Sequence, residues 1–429
     1  MSAPVPRARR LPVVLRNPSF GRVWAGQLLT QMAGRMFQVG AVWWLVGFAG
    51  GDHRGLDSGL FLTVSTLPAV ALAPLVARVI ARHAHRTVLA VAAAAAGLFA
   101  TATAVWAQAA ALPVAAVYAA GLALATCQAV FDPCLTTSVP ELVEDADIEA
   151  ATGFELSTQS VAGLAGGFLG PLVVDAGGLE SVVAGCAGAC LVAALLIVSV
   201  RFPHATAAPG QAGEPAPERR TLRRILAGLP FIRRVLVCFA LANVFTTAVY
   251  VVMPLYTRGV LHSTGSTVAS LEAALGAGTL VGAFTGGRLP GRPTTAGSVC
   301  LGVMGAALAV PGLLPGHMVA VGSLVVTGWC VGAIGVRFVA LFQRLVPADD
   351  KPGFFAVMQA LLGATFPVSS LVFGALGDHL TARVLCLVQG AGLVPVSLAL
   401  WWLGSRAHDA QPEPSATTAR QVALTGDAS

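Results

Sequence analysis

Charged side chains are scarce in this sequence, because Asp, Glu, Lys and Arg together make up only 11% of its 429 residues. Hydrophobic residues account for 56% of the chain, and the mean hydropathy is +0.77. Soluble globular domains carry about a quarter of their residues as charges, so this composition excludes that class of protein. It is typical of a chain that lies mostly inside a lipid bilayer, and it excludes large domains outside the membrane.

Several motifs that would indicate catalysis or ATP use are also missing. The sequence contains no P-loop pattern, which argues against ATP as an energy source, and neither HExxH nor GxSxG occurs. The eight cysteines form no CxxC pair and fall almost entirely in apolar stretches, so we expect reduced core residues rather than zinc ligands. The sequence therefore predicts a protein that is not an enzyme and that holds no metal or other cofactor.

Twelve apolar segments, each long enough to cross a bilayer as a helix, are separated by short polar breaks. They fall at roughly 20–47, 58–80, 87–109, 113–139, 150–174, 179–200, 234–256, 265–287, 295–313, 317–342, 353–376 and 381–403. The sequence therefore predicts an all-α membrane protein whose twelve transmembrane helices form two pseudo-symmetric six-helix bundles. No convincing cleavage site follows the first apolar segment, so we expect that segment to be retained.

A polar, proline-rich stretch divides the twelve segments into two sets of six. We expect a cytoplasmic linker at 202–232 between an N-terminal bundle at 20–201 and a C-terminal bundle at 233–403. A cytoplasmic segment at 1–19 precedes the first bundle. The tail at 404–429 is polar and rich in small residues, and we predict that it is disordered.

The positive residues predict the orientation of the chain. Of the 26 Lys and Arg residues, 22 fall on the side of the N-terminus, linker and tail, whereas Arg54, Arg258 and Arg383 fall on the other side. Because loops rich in Lys and Arg stay in the cytoplasm, both termini are predicted to be cytoplasmic in a cell inner membrane. The net charge of +6 thus arises without a basic face, so nucleic acid is not an expected partner.

The two sets of segments resemble each other weakly. The string PSFGRV at 18–23, which opens the first helix, has a counterpart in PFIRRV at 230–235, which opens the seventh helix. A duplicated six-helix bundle is therefore predicted. Transporters built from such repeats bind their substrates near the membrane midplane, between the halves.

Several strings resemble a known family. NPSF at 17–20 and RMFQ at 35–38 resemble the first helix of the major facilitator superfamily. FDP at 131–133, VPELV at 139–143 and AATG at 150–153 resemble the helix 4–5 connection of the branch that contains macrolide efflux pumps and siderophore exporters. The resemblance implies a secondary transporter in which two halves rock against each other, and more specifically an exporter coupled to protons.

Departures from the family pattern concern the gate. Gly34 stands where the branch has an Asp before the helix 1 arginine, and Ala77 and Ala81 replace the Gly and Asp of the 2–3 loop motif. The basic residues of that motif, Arg82 and Arg86, remain. In relatives the missing acid helps to hold the cytoplasmic gate, so that latch is not carried over to this chain.

The first predicted helix carries a polar stripe. Gln27, Gln31, Arg35 and Gln38 lie within roughly 80° of one another and extend along about 16 Å of the helix axis. A charge at the bilayer centre avoids lipid, so we predict that Arg35 and the three glutamines line a substrate cavity. The alternative is a structural Arg35 that pairs with a carbonyl or carboxylate of a neighbouring helix.

The seventh helix occupies the equivalent place in the second half. Asn243, Thr246, Thr247 and Tyr250 cover about 100° of one face. We predict that Asn243, Thr247 and Tyr250 contact a substrate that is mostly apolar with a few hydrogen-bond acceptors. Hydrogen bonding between helices, which is common in membranes, is the alternative.

Glu272 is a charge deep in the predicted eighth helix. Burial disfavours the charged form of a carboxyl group, so a buried carboxyl group can load and release a proton near neutral pH. We therefore predict Glu272 and Asp132 as proton-coupling residues. The alternative is an ion pair between Glu272 and Arg35, which would make Glu272 structural.

The inner gate is the predicted role of a second set of charges. Asp132 and Glu155 lie toward the cytoplasmic ends of helices 4 and 5, and we predict that they pair with Arg82 or Arg86 to close that end. A simpler alternative holds for Glu155, because an acid near a helix start is stabilised by the helix dipole.

Glycines four residues apart recur on predicted helices 5 and 8, as in Gly163 with Gly167 and Gly278 with Gly282. Small residues at this spacing allow helices to approach closely. In the resembled family these two helices face each other, so we expect the glycines to lie between the halves. The alternative is chance, because the chain contains 48 glycines.

The sequence thus predicts a monomeric transporter that exports a small amphipathic organic compound, such as a drug, a macrolide or a siderophore, in exchange for protons. Its expected partners are that compound, protons and membrane lipids. Two alternatives stay open. One is a lipid or lysolipid flippase of the same architecture, and the other is a membrane sensor or scaffold that binds a ligand without transporting it.

Overall fold

A computed structural model describes residues 12–48, 53–144, 147–202, 230–346 and 351–409. The described residues are almost entirely helical and contain no β-strand, which confirms the predicted fold class. Most of the predicted linker and tail, together with residues 1–11, lies outside these ranges.

The first half of the chain contains one short helical turn and six longer elements. They are α1 (Val13–Arg16), α2 (Pro18–Gly47), α3 (Arg54–Ala71), α4 (Ala73–Arg82), α5 (His85–Ala109), α6 (Val114–Leu142) and α7 (Ile148–Val198). The second half contains seven α-helices and one 3-10 turn at Gly286–Arg288. The α-helices are α8 (Pro230–Thr247), α9 (Val249–Gly259), α10 (Gly265–Thr285), α11 (Pro293–Leu313), α12 (His317–Leu345), α13 (Lys351–His379) and α14 (Ala382–Asp409).

Helix α2 begins where the sequence provides a cap. Asn17 Oδ1 accepts hydrogen bonds from the backbone N–H of Ser19 (3.0 Å) and of Phe20 (3.1 Å). Pro18 takes the first helical position, where a backbone N–H would have no partner within the helix. Asn17 also donates to the Leu142 carbonyl at 2.7 Å, which ties the start of α2 to the end of α6.

Two breaks in the helices follow from glycine and proline. Gly178 has φ 72° within α7, a conformation that residues with a side chain rarely adopt, so the chain turns there. This turn lies between the predicted segments 150–174 and 179–200. The second break separates α3 from α4, which are bent by 49° relative to each other at Leu72, between Pro68 and Pro74.

Among the described residues, fewer helices than the predicted twelve have the length and apolarity that a membrane span requires. Nine helices of the described chain are long and apolar enough to cross a membrane, or ten when the bent pair α3 and α4 is one span. Helix α7 counts once among the nine, although its 51 residues are long enough for two crossings. The polar helix α2 is not among them. The count of twelve spans stays a prediction.

The helices run between two ends of the molecule. We call the end where α2 begins (Pro18) and α7 ends (Val198) the linker end, and the end where α2 ends (Gly47) and α3 begins (Arg54) the far end.

The buried core shows where the two halves of the chain meet. One cluster lies entirely in the second half and includes the ring contacts of Phe342 with Phe338 and with Phe354. A second cluster, around Trp43, belongs to the first half but also contains Val251 from α9 and Val268 from α10. Both valines lie toward the far end, so the two halves share a core there.

The close glycine contacts of α10 are not between the halves, contrary to the sequence prediction. A Cβ atom at Gly278 would overlap the carbonyl of Val325, and one at Gly282 would overlap the carbonyl of Trp329. Both carbonyls belong to α12, a helix of the same half. The prediction failed because spacing reveals a close approach but not which helix approaches.

Candidate functional site

The far end is closed by direct contact between α3 and α13. A Cβ atom at Gly59 would overlap the backbone carbonyl of Ser370, so only glycine allows the two helices this distance. A Cβ atom at Gly374 would meet the Gly55 carbonyl at 2.7 Å. The halves therefore touch backbone to backbone at the far end.

A carboxylate of the second half caps a helix of the first half. Asp378, at the end of α13, accepts hydrogen bonds from the N–H of Gly55 (2.7 Å) and of Leu56 (3.2 Å) in the first turn of α3. His53 precedes that helix and offers no side-chain cap to it, although its ring lies 3.5 Å from Asp378. The free N–H groups and the dipole of α3 are thus satisfied from the other half.

In the reciprocal contact, a carboxylate of α7 in the first half caps α10 of the second half. Asp175 accepts hydrogen bonds from the Trp43 indole N–H (2.7 Å) and from the N–H of Gly265, the first residue of α10. The side chain of Thr264, which precedes α10, does not cap it. Each half therefore caps one helix of the other half, and we call Asp175 and Asp378 the cross-capping pair.

Arg258 adds a third contact at the far end. Its guanidinium donates to the Gly47 carbonyl at 3.2 Å and lies over the rings of Trp43 (5.5 Å) and Phe48 (5.2 Å). This contact joins the end of α9 to the end of α2.

The linker end is open. Among the residues that the structure describes, no hydrogen bond or ion pair joins the two halves there.

A central cavity of about 720 Å³ lies between the halves. Its polar lining comes mainly from the first half and includes Gln31, Arg35, Gln38, Gln128, Asp132 and Gln159. Apolar and aromatic side chains complete it, among them Phe37, Leu124, Leu362 and Phe366.

Arg35 joins the two halves at the deep end of this cavity. Its Nη1 donates to Gln38 Oε1 at 2.8 Å, and its Nη2 lies 3.2 Å from Glu272 Oε2 on α10. Its guanidinium also lies 4.8 Å from the centre of the Tyr250 ring on α9. The ion pair with Glu272, the structural alternative for both residues, is therefore present, and Arg35 lines the cavity at the same time.

A glycine makes room for this ion pair. A Cβ atom at Gly167 would lie 3.2 Å from Glu272 Oε2 and 3.8 Å from Arg35 Nε. Gly167 is thus the member of the predicted glycine series that does face the other half.

Asp132 is held by two amides. Its Oδ1 accepts hydrogen bonds from Gln31 Nε2 (3.0 Å) and from Gln128 Nε2 (2.5 Å). Both glutamines line the cavity beside it. The predicted partners Arg82 and Arg86 do not contact Asp132.

Glu155 lies behind the cavity wall and is only 2% exposed. Its Oε1 accepts a hydrogen bond from the Thr136 hydroxyl at 2.5 Å, whereas its Oε2 is bonded to no group of the described chain. The predicted pairing with an arginine does not occur, because Arg86 donates instead to the Val198 carbonyl at 2.5 Å. The alternative of an acid at a helix start does not fit either, because Glu155 lies seven residues after the first residue of α7, Ile148, and its side chain is buried.

Three of the seven predicted substrate contacts do not line the central cavity. Gln27 is buried and donates to the Glu155 carbonyl (3.2 Å), and the Thr247 hydroxyl donates to the Asn243 carbonyl (2.7 Å). Tyr250 contacts Arg35 and the Phe366 ring behind the lining. The four residues that do line it are Gln31, Arg35, Gln38 and Asn243.

Asn243 lines the cavity with its amide already bonded. The amide nitrogen lies 3.0 Å from the Leu362 carbonyl and 2.7 Å from Thr365 Oγ1, both on α13. The alternative of hydrogen bonding between helices therefore describes this side chain best.

A second cavity of about 1050 Å³ lies at the linker end and adjoins the first. Both are lined by Ala69, Ala129 and Pro133. We call it the basic cavity, because basic and apolar side chains of the first half line it. They include Val76, Ile80, Arg82, His83, His85, Arg86 and Arg201.

Gln128, Gln159 and Phe366 are lining residues that the sequence analysis missed. Gln159 follows Glu155 by one helical turn, so the periodicity of α7 could have identified it. Phe366 is one of many apolar residues of α13, and no local signal distinguishes it from the others.

The sequence matches the profile of the Major Facilitator Superfamily over residues 23–325. This stretch covers more than two thirds of the chain and runs through α12 residue Val325. No curated protein matches the chain by sequence.

Solved transporter structures share the fold along nearly the whole chain. A bacterial homologue of the human lysosomal transporter Spinster, inward-facing and unoccupied, is 12% identical, with a TM-score of 0.68 and coverage of 93% of this chain and 99% of that one. A bacterial homologue of the iron transporter ferroportin, also inward-facing, is 13% identical, with a TM-score of 0.69 and coverage of 90% and 99%. A nucleoside transporter is 14% identical, with a TM-score of 0.64 and coverage of 89% and 98%. At these identities the likeness concerns the fold alone.

Proposed function

The chain belongs to the major facilitator superfamily, and on this premise we propose that it exports a small amphipathic organic compound in exchange for protons. The family is one of membrane transporters rather than enzymes. Export in exchange for protons requires that the central cavity open alternately to the two sides of the membrane.

The observation that carries the proposal is the composition of the central cavity. Its volume of about 720 Å³ falls within the range of sites for small organic ligands. Amides and charges cover one part of its lining, and aromatic and aliphatic side chains cover another. A compound with both polar and apolar surface fits such a lining, whereas a bare ion or a sugar would leave the apolar part unused.

The Arg35–Glu272 ion pair would link binding to movement. The pair joins the halves within the cavity, and neither side chain is fully buried. A substrate that offers an acceptor to Arg35 competes with Glu272 and weakens this bond between the halves. Binding would therefore favour the rearrangement that carries the substrate across.

The direction of transport rests on orientation. The linker end carries most of the positive residues, so we place it in the cytoplasm of a cell with an inner membrane. The open end would then load substrate from the cytoplasm, and the far end would release it outside.

The test is the accumulation of a panel of amphipathic dyes and siderophore-like compounds in an efflux-deficient bacterium that expresses the chain. We expect lower accumulation of at least one compound than in cells with an empty vector, and we expect a protonophore to abolish the difference. Unchanged accumulation of every compound, with the protein shown to be in the membrane, would contradict the proposal. Saturable binding without flux in liposomes would instead identify a sensor or scaffold.

The basic cavity favours one second candidate, a lysolipid flippase. The arginines of its lining suit an anionic headgroup, apolar side chains of α4 suit an acyl chain, and the cavity adjoins the central one. Transport of labelled lysolipid that a protonophore does not change would favour this function over proton-coupled export.

A further inference from the structure

Three carboxyl groups lie within the membrane-spanning part of the molecule near the central cavity, and they differ in their partners. Glu272 has the guanidinium of Arg35, and Asp132 has the amides of Gln31 and Gln128. Glu155 has one hydroxyl, that of Thr136. Its surroundings therefore offer the least compensation for a negative charge.

Glu155 is also the most buried of the three. It is 2% exposed, and its Oε2 is bonded to no group in the part of the chain that the structure describes. Water reaches that oxygen poorly, so solvent does not replace the missing partner. A neutral carboxyl group tolerates such a site far better than a carboxylate does, because the cost of burial rises steeply with charge.

Among the described residues, no cation of the surrounding elements bonds to Glu155. Arg16 on α1 binds Asp147, Arg22 on α2 donates to the Ser199 carbonyl, and His85 on α5 lies 2.8 Å from Glu141.

The remaining charged groups of these elements are also occupied or acidic. Arg86 on α5 donates to the Val198 carbonyl, Arg35 on α2 pairs with Glu272, and α6 presents Asp132. Asp132 is another acid and supplies no positive charge to Glu155.

We propose that Glu155 carries the coupling proton and is neutral while the linker end is open. This inference rests on the proposed function, since it names the group that exchanges the proton. It replaces the predicted gating role of Glu155. It also assigns proton transfer to a group other than Glu272 and Asp132, which the sequence analysis predicted for it.

Thr136 provides the route for the proton. Its side chain is exposed, and its hydroxyl oxygen lies 2.5 Å from Glu155 Oε1. Thr136 donates to Glu155 Oε1, so the proton of the neutral carboxyl group sits on the unbonded Oε2 and reaches Thr136 once the carboxyl group turns over. Glu155 then gives this proton to the Thr136 oxygen while Thr136 gives its own proton to water at the linker end. One proton then moves from the carboxyl group to water, Glu155 becomes a carboxylate, and Thr136 stays neutral.

The proposal is tested without substrate by infrared difference spectroscopy on the full-length protein between acidic and alkaline buffers. We expect a carbonyl band of a neutral glutamic acid that titrates in the wild type and is lost in Glu155→Gln. The band should persist in Glu272→Gln and in Glu180→Gln, a control at an exposed glutamate of the same helix element. A titrating glutamic acid band that survives in Glu155→Gln would overturn the proposal.

Ethidium export from proteoliposomes under a pH gradient supplies a second readout. We expect Glu155→Gln to lose the response to the gradient while it retains ethidium exchange at equal pH. Thr136→Val should keep the infrared band but slow the gradient-driven flux about tenfold, because it removes one hydrogen bond to an ionised group. Thr137→Val, the matched control, should leave the flux unchanged. Gradient-driven flux that Glu155→Gln leaves unchanged would also overturn the proposal.

Failure of the proposed function gives a different result. Wild-type protein that shows no response of flux to the gradient, for ethidium or any panel compound, contradicts proton-coupled export itself. A wild type that responds to the gradient together with an unaffected Glu155→Gln variant contradicts only the assignment to Glu155.

Discussion

The two ends of the helix bundle are held in different ways. At the far end the halves touch through backbone contacts such as Gly59 with Ser370, and each half caps a helix of the other through Asp175 or Asp378. At the linker end the described residues of the two halves make no hydrogen bond with each other, and the central cavity opens between them. Closure at the far end therefore depends on a shared apolar core, on a few polar bonds and on glycines that let the backbones meet.

The cross-capping pair shows why such a closure can be reversed. A helix cap contributes about 1 kcal/mol, and helix N–H groups that lose a cap can bond to water when they become exposed. The far end is thus held by several small contributions rather than by one large one. A transporter that alternates between two states requires contacts of this size at each gate.

The largest predicted effect comes from a side chain placed in the closed contact. Gly59→Leu puts atoms where the Ser370 carbonyl lies, so the far end cannot close. Overpacking of this kind costs up to about 3 kcal/mol, and we expect ethidium export from proteoliposomes to fall about 100-fold.

The control for this variant is Gly188→Leu, because no heavy atom lies within 4 Å of a Cβ atom at Gly188. Gel filtration in detergent shows whether Gly59→Leu is folded. Export at the wild-type rate by folded Gly59→Leu would show that the α3–α13 contact is not part of the transport cycle.

A smaller effect is expected from removing the cross-capping pair. Asp175→Ala with Asp378→Ala leaves two helix starts uncapped in the closed state at a cost of about 1 kcal/mol each. The equilibrium should shift about 30-fold toward opening of the far end. The measurement is the labelling of a cysteine introduced at Gln38, which lines the cavity, by an impermeant thiol reagent added from the far side.

Two features of the chain make this measurement interpretable. Seven of the eight native cysteines are buried and Cys127 is partly buried, so background labelling should be low. Asn caps helices about as well as Asp, so Asp175→Asn with Asp378→Asn is the matched control and should label nearly as slowly as wild type. Equal labelling of the Ala and wild-type proteins would mean that the cross-capping pair does not hold the far end.

Local patterns in the sequence predicted the helices but not the gate. The apolar segments and the breaks between them, such as the one between 150–174 and 179–200, indicate where helices lie and end, because these properties belong to neighbouring residues. Asp378 and Gly55 are 323 residues apart in the chain, and Asp175 and Gly265 are 90 apart. No periodicity links residues at such distances, so only the packing of the halves brings them together.

For the site residues too, the sequence predicted positions along one helix but not contacts between helices. The polar stripe of α2 predicted that Gln31, Arg35 and Gln38 face one cavity, because one helix sets their relative positions. The partners of Asn243 and Glu155 depend on which helices pack beside them. The sequence allowed hydrogen bonding between helices as an alternative for Asn243 but did not identify its partners on α13, and it did not indicate the Thr136 partner of Glu155.

A third variant separates contacts between the halves from contacts within one half. Arg258→Gln removes a hydrogen bond to Gly47 and the contacts with two rings, which together contribute about 1 kcal/mol. We expect labelling of the Gln38 cysteine from the far side to rise about fivefold. Arg383→Gln is the control, because Arg383 lies at the same end but donates to Gly312 within its own half. If both variants increase labelling equally, charge at the far end rather than the contact between halves controls opening.

The smallest predicted effect concerns the open end. Gln159 lines the central cavity and forms no hydrogen bond with the described residues, so its amide is available to a substrate. Gln159→Leu should raise the KM for ethidium about threefold to fivefold, because it removes one hydrogen bond to the substrate. It should not change labelling of the Gln38 cysteine from the far side. Gln108→Leu, an exposed change on α5 outside the cavity, should alter neither quantity. Since Gln159 contacts nothing at the far end, a change in far-side labelling by Gln159→Leu would show that the two ends are not held independently.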